Sequence, residues 1–233
     1  MTTRLADWLE AYLARTRELA TTALAVVPLV LIYGLGLLTA SERARSGVDF
    51  VSTRLVSSVP TATYVGLQIG IAVALVFYAL FRAERPFRQH LRWAWPAIGE
   101  ACAWGLGLGT IVLFLMGEAR LLAIVVSGPL VDRAVLSAGA GLHEELVFRA
   151  LLIPLVTLLL SKAIGIPKNA AVIGAVVVSS LVFSGAHHLA GEPFEVFVFL
   201  YRLVAGLVFA SLFIWRGFAI TAWAHAAYDF SVL

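Results

Sequence analysis

The chain has 233 residues, of which 61% are hydrophobic and 13% charged, and its mean hydropathy is +0.94. A soluble domain carries about 45–50% apolar and about 25% charged residues. So much apolar surface cannot be hidden in a water-soluble globule, which excludes a soluble enzyme, a nucleic-acid-binding domain and a disordered scaffold. Lipid offers no water to open backbone groups, so the composition points to an integral membrane protein built of helices. The net charge is +3, and the 17 Lys and Arg residues sit mostly between apolar runs, where they set membrane topology. The single cysteine, Cys102, excludes an internal disulfide and a cysteine-cluster metal site, and reads as a small apolar filler.

Residues 1–20 come first. Leu5, Trp8, Leu9, Tyr12, Leu13 and Leu19 fall on one helical face, with Arg4, Asp7, Glu10, Arg15, Arg17 and Glu18 largely off it. That pattern fits a helix lying in the membrane interface, or one packed on the protein's own flank. The apolar run behind it is too long for a signal-peptide core, and Leu38 stands where cleavage after Ala40 would need a small residue, so no cleaved signal is expected.

A spanning helix needs about 20 mostly apolar residues. Seven stretches qualify as candidates: 21–39, 61–81, 97–116, 138–160, 170–190, 194–214 and 218–233. The stretch 120–136 is apolar but short and is interrupted by Pro129, Asp132 and Arg133; it reads as a re-entrant or interfacial segment rather than an eighth span. The expectation is an all-α, polytopic bundle of seven transmembrane helices, or eight if 120–136 crosses, preceded by the amphipathic helix. With no internal repeat and no Gly/Ser linker, residues 1–233 form one membrane domain. The Gly105-Leu-Gly107-Leu-Gly109 run has no strand before it and is explained by close helix packing rather than dinucleotide binding.

Orientation follows from the basic residues in the connections. With seven spans and the N-terminus inside, ten Lys and Arg fall inside, including Arg82, Arg85, Arg88, Arg92, Lys162, Lys168 and Arg216, whereas Arg43, Arg45, Arg54, Arg120 and Arg133 fall outside. Counting 120–136 as a span shrinks that bias, so the positive-inside rule favours seven spans.

Ionisable groups inside apolar spans cost at least a few kcal/mol each, so they mark function by default. Here they concentrate in the last 90 or so residues. His143, Glu144, Glu145 and Arg149 share one span, His187 and His188 the next, Arg202 the third, and His225 and Asp229 the last. Glu145 and Arg149 are spaced i,i+4 and can pair on one helix face. Glu144 is rotated about 100° away and is left for chemistry. A Glu and a His from different helices could hold a water between them, the Glu taking its proton. Donors from a third helix would stabilise an oxyanion.

Three motifs now stand in order on successive apolar segments. Glu144-Glu145-Leu-Val-Phe-Arg149 matches EExxxR, Phe183-Ser-Gly-Ala-His187 matches FxxxH, and His225-Ala-Ala-Tyr-Asp229 matches HxxxN/D. Over about residues 140–230 the chain resembles the CPBP family of intramembrane glutamic proteases, which includes the CAAX prenyl endopeptidases and bacterial relatives. The resemblance implies that Glu144 is the general base, that His187 is its partner on the water, and that His225 and Asp229 bind the oxyanion. It implies that Glu145 and Arg149 form a structural ion pair. Asp229 departs from the Asn-bearing pattern: an ionised Asp cannot donate, and would orient His225 instead.

His143, His188 and Arg202 are accessory candidates at most: His188 reads as a bystander, His143 as non-catalytic near the helix end, and Arg202 as a partner of Asp229 or Glu145, a snorkelling residue or a substrate contact. Phe148, Phe183, Trp223 and Tyr228 would either shape a specificity pocket or simply pack. The leading function is hydrolysis, without metal or other cofactor, of a peptide bond near the C-terminus of a membrane-associated protein. On the charge count the site opens outward, with Glu144 six residues into its span, about 9 Å deep. That suits an exported protein with a C-terminal membrane anchor, as in the myxosortase-like branch, in a bacterial inner membrane. The alternatives are a CAAX prenyl endopeptidase acting at the cytosolic face, a zinc protease using Glu144, His187, His225 and Asp229 but lacking HExxH, a transporter, and a non-catalytic immunity scaffold. The expected partners are the bilayer and the protein substrate, not nucleic acid; oligomeric state is not legible.

Overall fold

The computed structural model describes residues 2–41, 59–118, 128–189 and 193–233, with side chains from residue 5 onward. Among these residues the chain is helical throughout, without strands. Helix α1 spans Thr2–Arg15, α2 Leu19–Gly36, α3 Thr61–Phe81 and α4 Phe87–Leu115. The continuous α5 runs from Leu130 to Ala163, followed by α6 Lys168–Leu189, α7 Val196–Arg216 and α8 Phe218–Val232. Prolines set several starts. Pro60, Pro86 and Pro129 stand with extended ψ immediately before α3, α4 and α5, where a missing N–H costs nothing. The α7–α8 corner turns on Gly217, whose φ of +86° only glycine adopts readily.

Six helices, α2 to α7, are long and apolar enough to cross a membrane. The chain is therefore an integral, multi-pass membrane protein, with one spanning helix fewer among the described residues than the seven expected. The stretch read as a seventh span forms α8, but its 15 residues reach only about 22 Å. Instead of facing lipid, α8 is clamped inside the bundle against α4 and α5. Its small residues Ala219, Ala222, Ala224 and Ala226 are buried. A Cβ on Gly105 of α4 would run into the Ala224 carbonyl, and one on Gly141 of α5 into the Ala222 carbonyl. Packing therefore explains Gly105, as the sequence indicated, and small residues let three backbones meet closely. This clamp holds His225 against the turn of α5 that carries the two glutamates.

The segment 120–136 is corrected where it is described. Residues 130–136 are the first turns of α5, not a re-entrant piece, and 120–127 lie outside the described residues. Asp132 and Arg133 seemed to break the span, yet both are satisfied locally. Asp132 accepts from the Ser41 backbone N–H at 2.9 Å and from its hydroxyl at 2.6 Å, and Arg133 donates to the Phe230 carbonyl. Glu144 thus stands fourteen residues into its helix, about 21 Å, rather than six. Arg43, Arg45, Arg54 and Arg120, on which the orientation count partly rests, also lie outside the described residues.

Of the two readings of the N-terminal helix, packing on the protein's own flank is seen. Tyr12 is buried, stacks on Trp8 and meets Trp93 of α4, so α1 docks on the bundle. Leu5, Trp8, Leu9 and Leu13 stay exposed, an apolar face suited to the headgroup boundary. The docking point is a polar knot. Arg216, at the end of α7, grips Glu100 of α4 with Nε and Nη2, each at 2.7 Å, and also donates to Thr16 at 2.9 Å. Tyr12 donates to the same carboxylate at 2.6 Å.

Candidate active site

The site is built on α5, and it begins where that helix changes pitch. From Glu145 to Leu152 the backbone is π-helical, with turns wider than those of an α-helix. Such stretches are rare and concentrate at functional sites. Ser179 of α6, fully buried, donates its hydroxyl to the Phe148 carbonyl at 2.6 Å and so pins this turn from outside. Glu144 lies on the last α-helical position and Glu145 on the first π-helical one, and both are buried.

The expected ion pair is present: Arg149 Nη1 lies 3.1 Å from Glu145 Oε1, with both side chains wholly buried. The same oxygen has a second partner. His225 Nδ1–H of α8 donates to Glu145 Oε1 at 2.7 Å. A carboxylate only accepts, so this contact places a proton on Nδ1 and turns Nε2 the other way. There Nε2 lies 3.8 Å from Glu144 Oε2 and 3.6 Å from Asp229 Oδ2. The group that orients His225 through Nδ1 is therefore Glu145, whereas the sequence offered Asp229 for that task. Asp229 stands on the Nε2 side.

Aromatic rings close the buried charges off from lipid. The Arg149 guanidinium lies over the Phe183 ring at 4.3 Å and near those of Phe209 at 5.5 Å and Phe148 at 5.9 Å. Phe209 stacks on His225 at 4.5 Å, and Phe183 meets His225 edge-on at 6.0 Å. Cation–π contacts of this kind gain strength where water is excluded. Phe183 thus ties FxxxH to EExxxR.

His187, one turn beyond Phe183, lies edge-on to that ring at 5.1 Å, and its Nδ1–H donates to the Phe183 carbonyl at 2.9 Å. This leaves the lone pair on Nε2. His143, adjacent to Glu144, points to the opposite side of α5: its Nε2 pairs with the Tyr64 hydroxyl at 3.2 Å and its ring abuts Tyr33. His188 sits among the rings of Phe194 and Phe199. Arg202 acts electrostatically on Tyr228, which pairs with the Tyr201 hydroxyl at 2.9 Å. Trp223 turns to α2, donating to the Ala25 carbonyl at 2.7 Å, which removes it from the candidate pocket residues. Among the described residues no three His, Cys, Asp or Glu side chains gather as a metal-ligand set.

The contact that sequence reasoning missed is Glu145 to His225. No spacing rule joins residues 80 apart, and the i,i+4 pattern had already assigned Glu145 to Arg149. Phe209 and Ser179 were missed for the same reason, since an apolar or small residue inside an apolar span carries no signal of its own.

The charged members of two motifs, on α5 and α8, meet at one point, and Phe183 of the third motif packs on both. Residues 126–231, just under half of the chain, match the family model described as Rce1-like, type II CAAX prenyl endopeptidase. Over this segment the chain is similar to the Rce1-like family. No curated protein and no solved structure matches the chain. The match takes in all of the motif residues, and the family is one of endopeptidases.

Proposed function

We propose that the protein is an intramembrane endopeptidase of the glutamic type, hydrolysing a peptide bond near the C-terminus of a membrane-associated protein with Glu144 as general base and without a metal. The observation that carries this reading is the convergence of Glu144, Asp229 and His225 Nε2 within 4 Å in a buried setting, next to an Rce1-like match. Glu144 takes a proton from water as the hydroxyl attacks the scissile carbonyl. His187, with its lone pair on Nε2, orients that water, and as the C–N bond breaks the proton held by Glu144 passes to the leaving amine. His225 presents Nε2–H to the oxyanion, a donor prepared before the reaction begins. Asp229 beside Nε2 balances the imidazolium. Glu145 and Arg149 hold the turn.

The test is cleavage of a membrane-anchored reporter by purified protein in liposomes. Glu144→Gln and His187→Ala abolish cleavage while leaving the fold intact, and EDTA leaves the parent unaffected. Cleavage by Glu144→Gln at the parental rate, or loss of activity in EDTA restored by zinc, rejects the mechanism.

The Lys and Arg distribution favours an outward-opening site and an exported substrate with a C-terminal anchor, in a bacterial inner membrane. The description of the matched family favours a second reading, a prenylated CAAX substrate presented from the cytosol. The start of α5 at Leu130 removes the shallow outer depth that had supported the first reading. Labelling a Lys162→Cys variant in a Cys102→Ala background decides between them. Reagent access from the cytosolic side only supports the exported substrate, and access from outside supports the CAAX reading.

A further inference from the structure

The implied role of Glu145 is to pair with Arg149, yet the geometry gives its Oε1 two partners on two helices. The nearer is His225 Nδ1 at 2.7 Å; Arg149 Nη1 is at 3.1 Å. Glu145 is wholly buried and Oε2 has no hydrogen-bond partner, so Oε1 makes both contacts. Arg149 is held independently of Glu145, with its guanidinium over Phe183 and beside Phe209 and Phe148. The His225 ring is sandwiched too, stacked by Phe209 and met edge-on by Phe183. Those rings restrict its tilt, but they do not fix which nitrogen faces Glu144. Only a polar partner can do that, and at Nδ1 that partner is Glu145.

We propose that Glu145 is a positioning residue for the reaction: it accepts from His225 Nδ1–H, so that Nε2 always faces Glu144 and Asp229. Its effect on cleavage rests on the peptidase reading above; its effect on the histidine does not. Without Glu145 the ring can flip, and Nε2 is presented for only part of the time. An acceptor behind a histidine fixes tautomer and orientation in this way in both catalytic and metal sites.

The experiment separates this role from charge neutralisation by removing the arginine. In an Arg149→Met background, Glu145→Gln keeps an acceptor for Nδ1–H and Glu145→Leu does not, while neither faces a buried cation. Cleavage by the Gln double variant should stay within about tenfold of Arg149→Met, and the Leu double variant should lose about 100-fold in kcat with KM unchanged. Equal activity of the two double variants overturns the proposal, because neutralising Arg149 would then be the only task of Glu145. A second readout needs neither turnover nor the arginine variant. With ¹⁵N-labelled histidine in liposomes, the parent and Glu145→Gln should show one hydrogen-bonded His225 Nδ1–H shifted downfield, and Glu145→Leu should lose that signal. Identical spectra for all three overturn the proposal. A parent that cleaves nothing but shows the expected spectra rejects the peptidase reading and leaves the positioning role standing.

Discussion

Arg216–Glu100, at one end of the bundle, and Arg149–Glu145, in its interior, pair the same two groups under different conditions. Arg216 uses two nitrogens on two carboxylate oxygens, each at 2.7 Å, and Tyr12 and Thr16 complete the knot. Glu100 keeps 21% of its side chain exposed, so its desolvation is partial. Arg149 and Glu145 are wholly buried, share one oxygen at 3.1 Å, and leave Nε, Nη1 and Nη2 of the arginine without a well-formed hydrogen bond. Aromatic faces take the place of those bonds. The difference teaches that the outer pair is a bidentate staple joined to three helices, with only Arg216 Nη1 left without a partner. In the inner pair one carboxylate oxygen serves both the arginine and a histidine, while the other has no hydrogen-bond partner. Buried pairs add little net stability unless their geometry is near ideal, and only the outer one has such geometry.

The sharpest way to break this contrast is to remove the group expected to react. Glu144→Gln should lower cleavage of a membrane-anchored reporter by about 10³-fold while the unfolding midpoint in detergent stays put. A large fall in that midpoint would make Glu144 structural. Next, Arg216→Met should cost about 2–3 kcal/mol of stability, read by thermal or denaturant unfolding. Cleavage per folded molecule should stay within twofold, since the staple lies outside the site; a 100-fold drop would show that the two pairs are coupled. Ser179→Ala, which frees the Phe148 carbonyl in the π-helical turn, should cost about 1 kcal/mol and slow cleavage a few-fold.

The smallest effect concerns pH. Burial first, and then the Glu100 carboxylate, push the Tyr12 phenol above its ordinary value near 10. A proton held more tightly in the folded state contributes stability that is complete below the ordinary value and is lost as pH rises beyond it. The unfolding midpoint of the parent should therefore fall above about pH 10, and Tyr12→Phe should flatten that loss. Parallel curves for the two proteins would remove Tyr12 from the staple.

Much of this was legible in the residues because it is local. Apolar runs of near-membrane length announced six of the helices, and i,i+4 spacing announced Glu145–Arg149. Gly105 announced a close helix approach. Helix ends were less legible. Asp132 and Arg133 cost a reader of the sequence the first eight residues of α5, because their partners Ser41 and Phe230 lie 91 and 97 residues away. The 15-residue α8 passed for a span because its apolar character suits a bundle interior as well as lipid. Hydropathy measures aversion to water and does not say what replaces it.

By itself, then, the sequence determined that the chain lives in a bilayer as helices, and that many of the ionisable groups in its C-terminal apolar runs stand in motifs resembling those of one protease family. Only the tertiary structure decided that Glu145 serves His225 as well as Arg149, that Phe183 and Phe209 roof the arginine, and that Arg216 staples the N-terminal helix. Those contacts join helices far apart in the chain. They depend on how closely small residues such as Gly141 and Ala222 allow the backbones to approach, a distance that no single segment encodes.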